Sequence, residues 1–198
     1  LANNVLVWGA RGMGKSTLVK SAVCYVNKIS KKKIKLVEIL NNEIGSLAEI
    51  IYELSQIDTK FIIFVDDISF RKNENDFKLF KSLIEGSLLS NTKNVRFYVT
   101  SNLRHLSHKG ELLTNNDIEE KEASQNLLSL SDRFGCWVGF FDSNQKQYLE
   151  MVKYYFNKLS LNYSSKDEKL ALEWSIEKGS FSGRTAFQFV NGIKINKK

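Results

Sequence analysis

Apolar positions along the chain recur with two periods, and segments of the two kinds alternate. The run "NNVLVW" (3–8) reads as a strand, and a Gly-rich turn follows it. Over 15–27, Leu18, Val19, Ala22, Val23 and Val26 fall at helical spacing. "IKLVEIL" (34–40) reads as a second strand, and Leu47, Ile50, Ile51 and Leu54 mark a second amphipathic helix. "KFIIFV" (60–65) is a continuous apolar run, the pattern of a strand buried on both faces. Phe77, Phe80, Leu83 and Ile84 predict a helix that "NEND" (73–76) can cap. "NVRFYVT" (94–100) and "CWVGFF" (136–141) are the fourth and fifth strands.

Strands alternating with helices imply an α/β fold with a mostly parallel five-stranded sheet between helices. After residue 142 the strand pattern stops. Tyr148, Met151, Val152, Tyr155, Phe156 and Leu159 form one helical stripe, Leu170 and Trp174 a second, and Phe187, Val190 and Ile193 a third. The expected organisation is an α/β core over 1–142 and a small helical lid over 143–198. The stretch 103–130 is polar and irregular and includes the acidic "LTNNDIEEKEASQN". The start at Leu1, almost on top of a strand, reads as the start of a fragment, so an N-terminal domain is expected upstream.

Composition narrows the class. With 42% hydrophobic and 26% charged residues the chain is that of a globular protein, and no apolar run is long enough to span a membrane. Cys24 and Cys136 have neither disulfide-framework nor zinc spacing and lie in apolar stretches, so both read as small buried hydrophobes in a reducing cytoplasm. His105 and His108 have no acidic or thiol cluster around them, which argues against a metal site there. The net charge of +7 is compatible with nucleic acid. Only six of the 29 cationic residues are Arg, and the run Lys31, Lys32 and Lys33 with Lys28 and Lys35 reads first as a solvated loop.

"GARGMGKS" (9–16) matches the phosphate-loop pattern GxxxxGK[ST] in full, after a strand and at the start of a helix, as its mechanism requires. Gly9, Gly12 and Gly14 let the backbone wrap a phosphate chain without Cβ clashes. The amides of Ala10, Arg11, Met13 and the first helical turn through Thr17 point at the anion, helped by the helix dipole. Lys15 reaches the β- and γ-phosphates, and the Ser16 hydroxyl is the expected Mg²⁺ ligand. "FIIFVDD" (61–67) then gains a meaning, because adjacent carboxylates repel unless a cation offsets them. Asp66 fits the second Mg²⁺ ligand. Asp67 either polarises the attacking water or caps the following turn.

With "TSN" (100–102), "SDRFG" (131–135) and a helical tail carrying "GR" (183–184), the motif order resembles that of an AAA+ ATPase. "NNVLVWGARGMGKSTLVK", "DDISF", "TSNLRHL", "LSDRFG" and "SGRTAFQFV" together resemble a bacterial family of P-loop ATPases known as a domain of unknown function. The resemblance runs from Asn3 to about Val190. It implies ATP as ligand, Asn102 (or Thr100) as the sensor that orients the attacking water, and Arg133 as a finger inserted into a neighbouring subunit's site. Such an Arg is worth about 10³–10⁵ in rate. Arg184 looks like the second sensor, carried on the lid and touching the γ-phosphate. A homo-oligomer is implied, with a further protein partner unspecified.

Most AAA+ proteins carry Asp-Glu where this chain has Asp66-Asp67. Asp is one methylene shorter, so slow hydrolysis is expected. "DDISF" and "TSNL" are also similar to bacterial replication initiators and helicase loaders. The leading expectation is therefore Mg²⁺-dependent ATP hydrolysis at a site shared between subunits. The alternative is a nucleotide-gated loader or scaffold that binds DNA or a partner protein with little turnover. A small-molecule kinase would need an Arg-rich lid, and the tail offers only Arg184.

Overall fold

The computed structural model describes residues 3–68, 74–85, 92–102 and 133–196. The chain forms two compact units, one of Leu1–Gly9 with Lys15–Gly139, the other of Ala10–Gly14 with Phe140–Lys198.

The first unit is built on the sheet. β1 (Val5–Gly9), β2 (Ile34–Ile39), β3 (Lys60–Val65), β4 (Val95–Ser101) and β5 (Cys136–Phe140) run in the order β2-β3-β4-β1-β5. The pairs β2–β3, β3–β4 and β1–β4 are parallel. The strands come in chain order with helices α1 (Lys15–Ile29), α2 (Leu47–Ser55) and α3 (Glu74–Glu85) between them, as the two alternating periods predict. Phe61 to Val65 are all buried, because β3 has neighbours on both sides and helices above and below.

Alternate strand residues face opposite ways. Phe61, Ile63 and Val65 join Val95, Phe97, Val99 and Leu6 in one cluster. Leu47 and Ile51 of α2 and Phe80, Leu83 and Ile84 of α3 pack onto it, with the Phe80 and Phe97 rings edge to face at 5.7 Å. The opposite face carries Phe64, whose ring lies 5.6 Å from the Lys20 ammonium of α1. Helix α1 thus covers one face, and α2 and α3 the other.

Register decides what meets at the carboxyl edge. Val65, the last residue of β3, lies opposite Val99, and Val99 opposite Leu6, so Asp66 leaves β3 beside the last residues of β4, which runs on to Ser101 next to Trp8 of β1. The chain leaves β1 for β2 at one end of the sheet and leaves β4 for β5 at the other. Adjacent strands whose connections part in opposite directions mark the crevice where open α/β sheets hold ligands.

The second unit is helical: α4 (Gln145–Lys158), α5 (Ser165–Glu177) and α6 (Gly183–Asn196). Each helix starts on a side-chain cap. Asn144 and Gln147 exchange hydrogen bonds at the head of α4, and Ser164 and Asp167 do so at α5. The Ser182 hydroxyl accepts from the Thr185 amide at α6, 3.2 Å away. Tyr148, Val152 and Phe156 of α4, Ala171 of α5, and Ala186, Phe189 and Val190 of α6 form the core. The buried Tyr148 hydroxyl donates to the Ala171 carbonyl at 3.1 Å, and burial pushes its pKa up to about 12.

Some expectations need correction. Cys24 and Cys136 are both exposed. Helix α1 buries a narrow row, Lys15, Val19 and Val23, which leaves Leu18, Ala22 and Cys24 outside it. Cys136 opens β5, which among the described strands stands last in the sheet order, beside β1. Leu170 and Phe187 are likewise exposed rather than in the helical core. Lys28, Lys31, Lys32, Lys33 and Lys35 are exposed as expected, and Lys33 donates to the Asn27 and Ser30 carbonyls at the end of α1. The stretch 103–130, with His105 and His108, lies outside the described residues, as does Asn73 of the suggested α3 cap. Among the described residues, no helix is long and apolar enough to cross a membrane.

Candidate functional site

The carboxyl ends of β1, β3 and β4 bring six side chains of the first unit into one hydrogen-bonded set. Lys15, only 6% exposed, donates to the Gly9 carbonyl at 2.9 Å and to Asn102 Oδ1 at 2.7 Å. Asn102 Nδ2 donates to Asp67 Oδ1 at 2.5 Å. Ser16 Oγ donates to Asp66 Oδ1 at 2.6 Å. Thr100 Oγ1 donates to the same oxygen, also at 2.6 Å, and accepts from the Asp67 amide at 2.8 Å. A buried ammonium, two carboxylates, two hydroxyls and one amide side chain therefore form two short chains, Lys15–Asn102–Asp67 and Ser16–Asp66–Thr100.

Local sequence explains the placement. Gly9, at φ 117, turns the chain out of β1 so that Lys15 can reach back to its carbonyl. Helix α1 has no acidic residue in its first turn, so nothing of its own competes for that positive end. Asp66 follows the last residue of β3 in a half-buried position. Asp67 sits at φ 54, a left-handed conformation that a non-glycine residue adopts at a cost of about 1–2 kcal/mol.

The other expected residues fall outside this set. Ala10, Arg11, Gly12, Met13 and Gly14 belong to the second unit, where Ala10 donates to the Phe140 carbonyl at 2.6 Å. In that unit Gly12 packs on the head of α6. Its carbonyl accepts from the Arg184 amide at 3.0 Å, and a Cβ on Gly12 would lie 2.8 Å from Ser182 Oγ and 3.3 Å from the Arg184 Cβ. The Arg184 side chain stands exposed beside the loop. Arg11 and Thr17 are exposed. Arg133, half exposed, pairs with Glu85 at the end of α3 at 3.7 Å, and not with any member of the carboxylate set.

Three participants escaped the sequence reading: Glu85, Ser182 and the bridging role of Thr100. Glu85 carries no motif of its own, and Ser182 opens "SGRTAFQFV" (182–190) only as a neighbour of Arg184. Thr100 was visible only as an alternative to Asn102, because its bond to Asp66 depends on which strands are neighbours.

The family described as "Protein of unknown function (DUF815)" matches residues 1–197. No curated protein matches the chain. Among solved structures, a RuvB variant from Thermotoga maritima superposes over 94% of this chain and 52% of its own, with 17% identity and a TM-score of 0.54. A second RuvB variant from the same organism gives 18% identity and a TM-score of 0.53, over 94% of this chain and 53% of its own. The FIGL-1 AAA domain in complex with ADP superposes over 94% of this chain and 58% of its own, with 14% identity and a TM-score of 0.52. The chain thus spans about half the length of the solved chains it matches, and the likeness shows an α/β fold of the AAA+ kind.

Proposed function

The chain belongs to the DUF815 family, and from that membership and the site's geometry we propose that it is a Mg²⁺-dependent AAA+ ATPase whose active site is completed by a second subunit. The observation that carries the reading is the pair of chains Lys15–Asn102–Asp67 and Ser16–Asp66–Thr100 at the carboxyl ends of adjacent strands.

The donor set suits Mg²⁺. Ser16 Oγ and Asp66 Oδ1 are hard oxygens 2.6 Å apart, and among the described residues no His, Cys, Asp and Glu cluster of three could bind a metal instead. One carboxylate, one hydroxyl and substrate phosphates are the usual company of this ion. Bound there, it would neutralise charge on the β- and γ-phosphate oxygens.

The chain's own residues supply the rest. Lys15 exchanges Asn102 and Gly9 for phosphate oxygens, and the glycines of Gly9–Gly14 give the backbone room to approach them. Asn102, once released by Lys15, orients the attacking water, and Asp67 polarises it. Arg184, beside Gly12, is the second sensor, and Arg133 reaches the site of a neighbouring copy. The lid over 143–198 would report nucleotide state.

A second reading has one specific observation in its favour. Asp67 is engaged by Asn102, and its short side chain must leave that bond or share it to touch water. A nucleotide-gated scaffold with little turnover, assembling on DNA or a partner protein, would keep it there. ATP turnover per subunit against protein concentration, with Lys15→Ala and Arg133→Ala alongside, separates the two. Specific activity that rises with concentration and vanishes in both variants supports the shared-site ATPase. Nucleotide binding with flat, negligible turnover supports the scaffold.

A further inference from the structure

The geometry points to Thr100 as a positioning residue that sets both carboxylates of the site through one hydroxyl; the inference rests on the Mg²⁺–nucleotide reading above. Thr100 is 1% exposed and stands next to last in β4. Because Val65 and Val99 are register partners, the next residues along the two parallel strands, Asp66 and Thr100, emerge side by side.

A hydroxyl has one proton to give and lone pairs to accept with. Thr100 commits the proton to Asp66 Oδ1 at 2.6 Å and accepts the Asp67 amide at 2.8 Å. Its carbonyl accepts the Ile68 amide at 2.8 Å. One residue therefore brackets the whole Asp66–Asp67–Ile68 turn. A hydrogen bond to an ionised carboxylate is short and strong, so Asp66 is held in one rotamer, with Ser16 on the same oxygen. Pinning the Asp67 amide fixes the left-handed peptide at φ 54, and with it the direction in which the Asp67 side chain leaves the backbone.

This geometry also separates Thr100 from the sensor role. Its only proton is already spent on Asp66, so it has none to offer a water or a phosphate. Asn102, with two amide protons and one carbonyl, keeps that capacity. Packing alone does not ask for a hydroxyl here: Val7, the register partner of Thr100 on β1, is buried and apolar.

The test is the Mg²⁺ dependence of binding of a fluorescent, non-hydrolysable ATP analogue to the intact protein, in Thr100→Val and Thr100→Ser. Losing a group that orients a metal ligand costs about 10–100-fold in metal affinity. Thr100→Val should raise the Mg²⁺ needed for half-maximal tightening by about 10-fold or more, with affinity in excess chelator unchanged. Thr100→Ser, which keeps the hydroxyl, should restore the wild-type requirement. If Thr100→Val does not fold, Thr100→Ala carries the same comparison. An unchanged Mg²⁺ requirement without the hydroxyl, or equal loss in the Ser variant, overturns the role of Thr100 alone. A wild-type protein that binds the analogue with no response to Mg²⁺ overturns the metal site and this inference with it.

Discussion

Asn102 joins the two ends of the site, taking a hydrogen bond from Lys15 at 2.7 Å and giving one to Asp67 at 2.5 Å. The amide couples the group that would meet the γ-phosphate to the group that would meet the water. When Lys15 leaves for phosphate, Asn102 loses a partner on one side and is free to turn on the other. Removing it should spare binding and damage turnover. Asn102→Ala is expected to lower single-turnover hydrolysis by about 10²–10³-fold, the cost of losing one preorganised donor. Nucleotide affinity should stay near that of the parent. A parallel loss of both would mean that Asn102 supports the fold of the site rather than the water.

Gly12 and Gly14 are both left-handed, at φ 78 and φ 96, but only Gly12 is crowded. An alanine at either position carries a backbone penalty of about 1–2 kcal/mol. At Gly12 the new Cβ also meets Ser182 Oγ at 2.8 Å, and that oxygen is already committed to Thr185. At Gly14 it meets nothing within 4 Å. In nucleotide-free thermal melts, Gly12→Ala should therefore lower Tm more than Gly14→Ala. Equal shifts would show that the approach of Gly12 to Ser182 carries no energy.

Which features were legible in the sequence follows from how local their cause is. Gly9 to Ser16 must wrap a phosphate within eight residues, so the constraint is written in eight consecutive letters. The apolar run Phe61–Val65 announces a buried strand because both its faces are covered. The partnership of Asp66 with Thr100 spans 34 residues and depends on β3 and β4 being neighbours in one register. No pattern in either strand states that. Periodicity also overstated burial. Leu18 and Ala22 share the apolar spacing of α1, yet the helix meets the sheet along the narrower row of Lys15, Val19 and Val23. Cys24 and Cys136 failed as core residues for the same reason: apolar sequence neighbours do not say which side of a helix or which edge of a sheet they occupy.

The helical unit has a titration of its own. Burial raises the Tyr148 pKa from 10.0 to about 12, while the unfolded chain keeps the ordinary value. The contribution is complete below the unfolded pKa. As pH rises from 10.0 towards about 12 the unfolded state loses its proton first, so this contribution to stability falls across that window. Tyr148→Phe removes it, together with the bond to the Ala171 carbonyl, worth about 1 kcal/mol. The variant should start less stable at neutral pH and lose less on going alkaline. Denaturant midpoints at neutral and strongly alkaline pH read both effects. Parallel losses in parent and variant would show that Tyr148 does not carry the alkaline dependence.

Among the described residues, Arg133 pairs with Glu85, at 3.7 Å with more than half of its side chain exposed. A pair so exposed contributes about 0.2–1 kcal/mol, so Arg133→Ala should melt close to the parent. Its effect on catalysis depends on where the guanidinium goes. If it serves a neighbouring copy, Arg133→Ala and Lys15→Ala are each inactive for complementary reasons. The first keeps an intact phosphate loop and lacks the finger; the second keeps the finger and lacks the loop. Mixing the two should then restore turnover, because some interfaces pair an intact Lys15 with an intact Arg133. Arg133 acting on its own subunit predicts no recovery at any mixing ratio, since no subunit then holds both groups. Recovery that peaks near equal amounts and grows with total protein concentration is the result expected of a shared site.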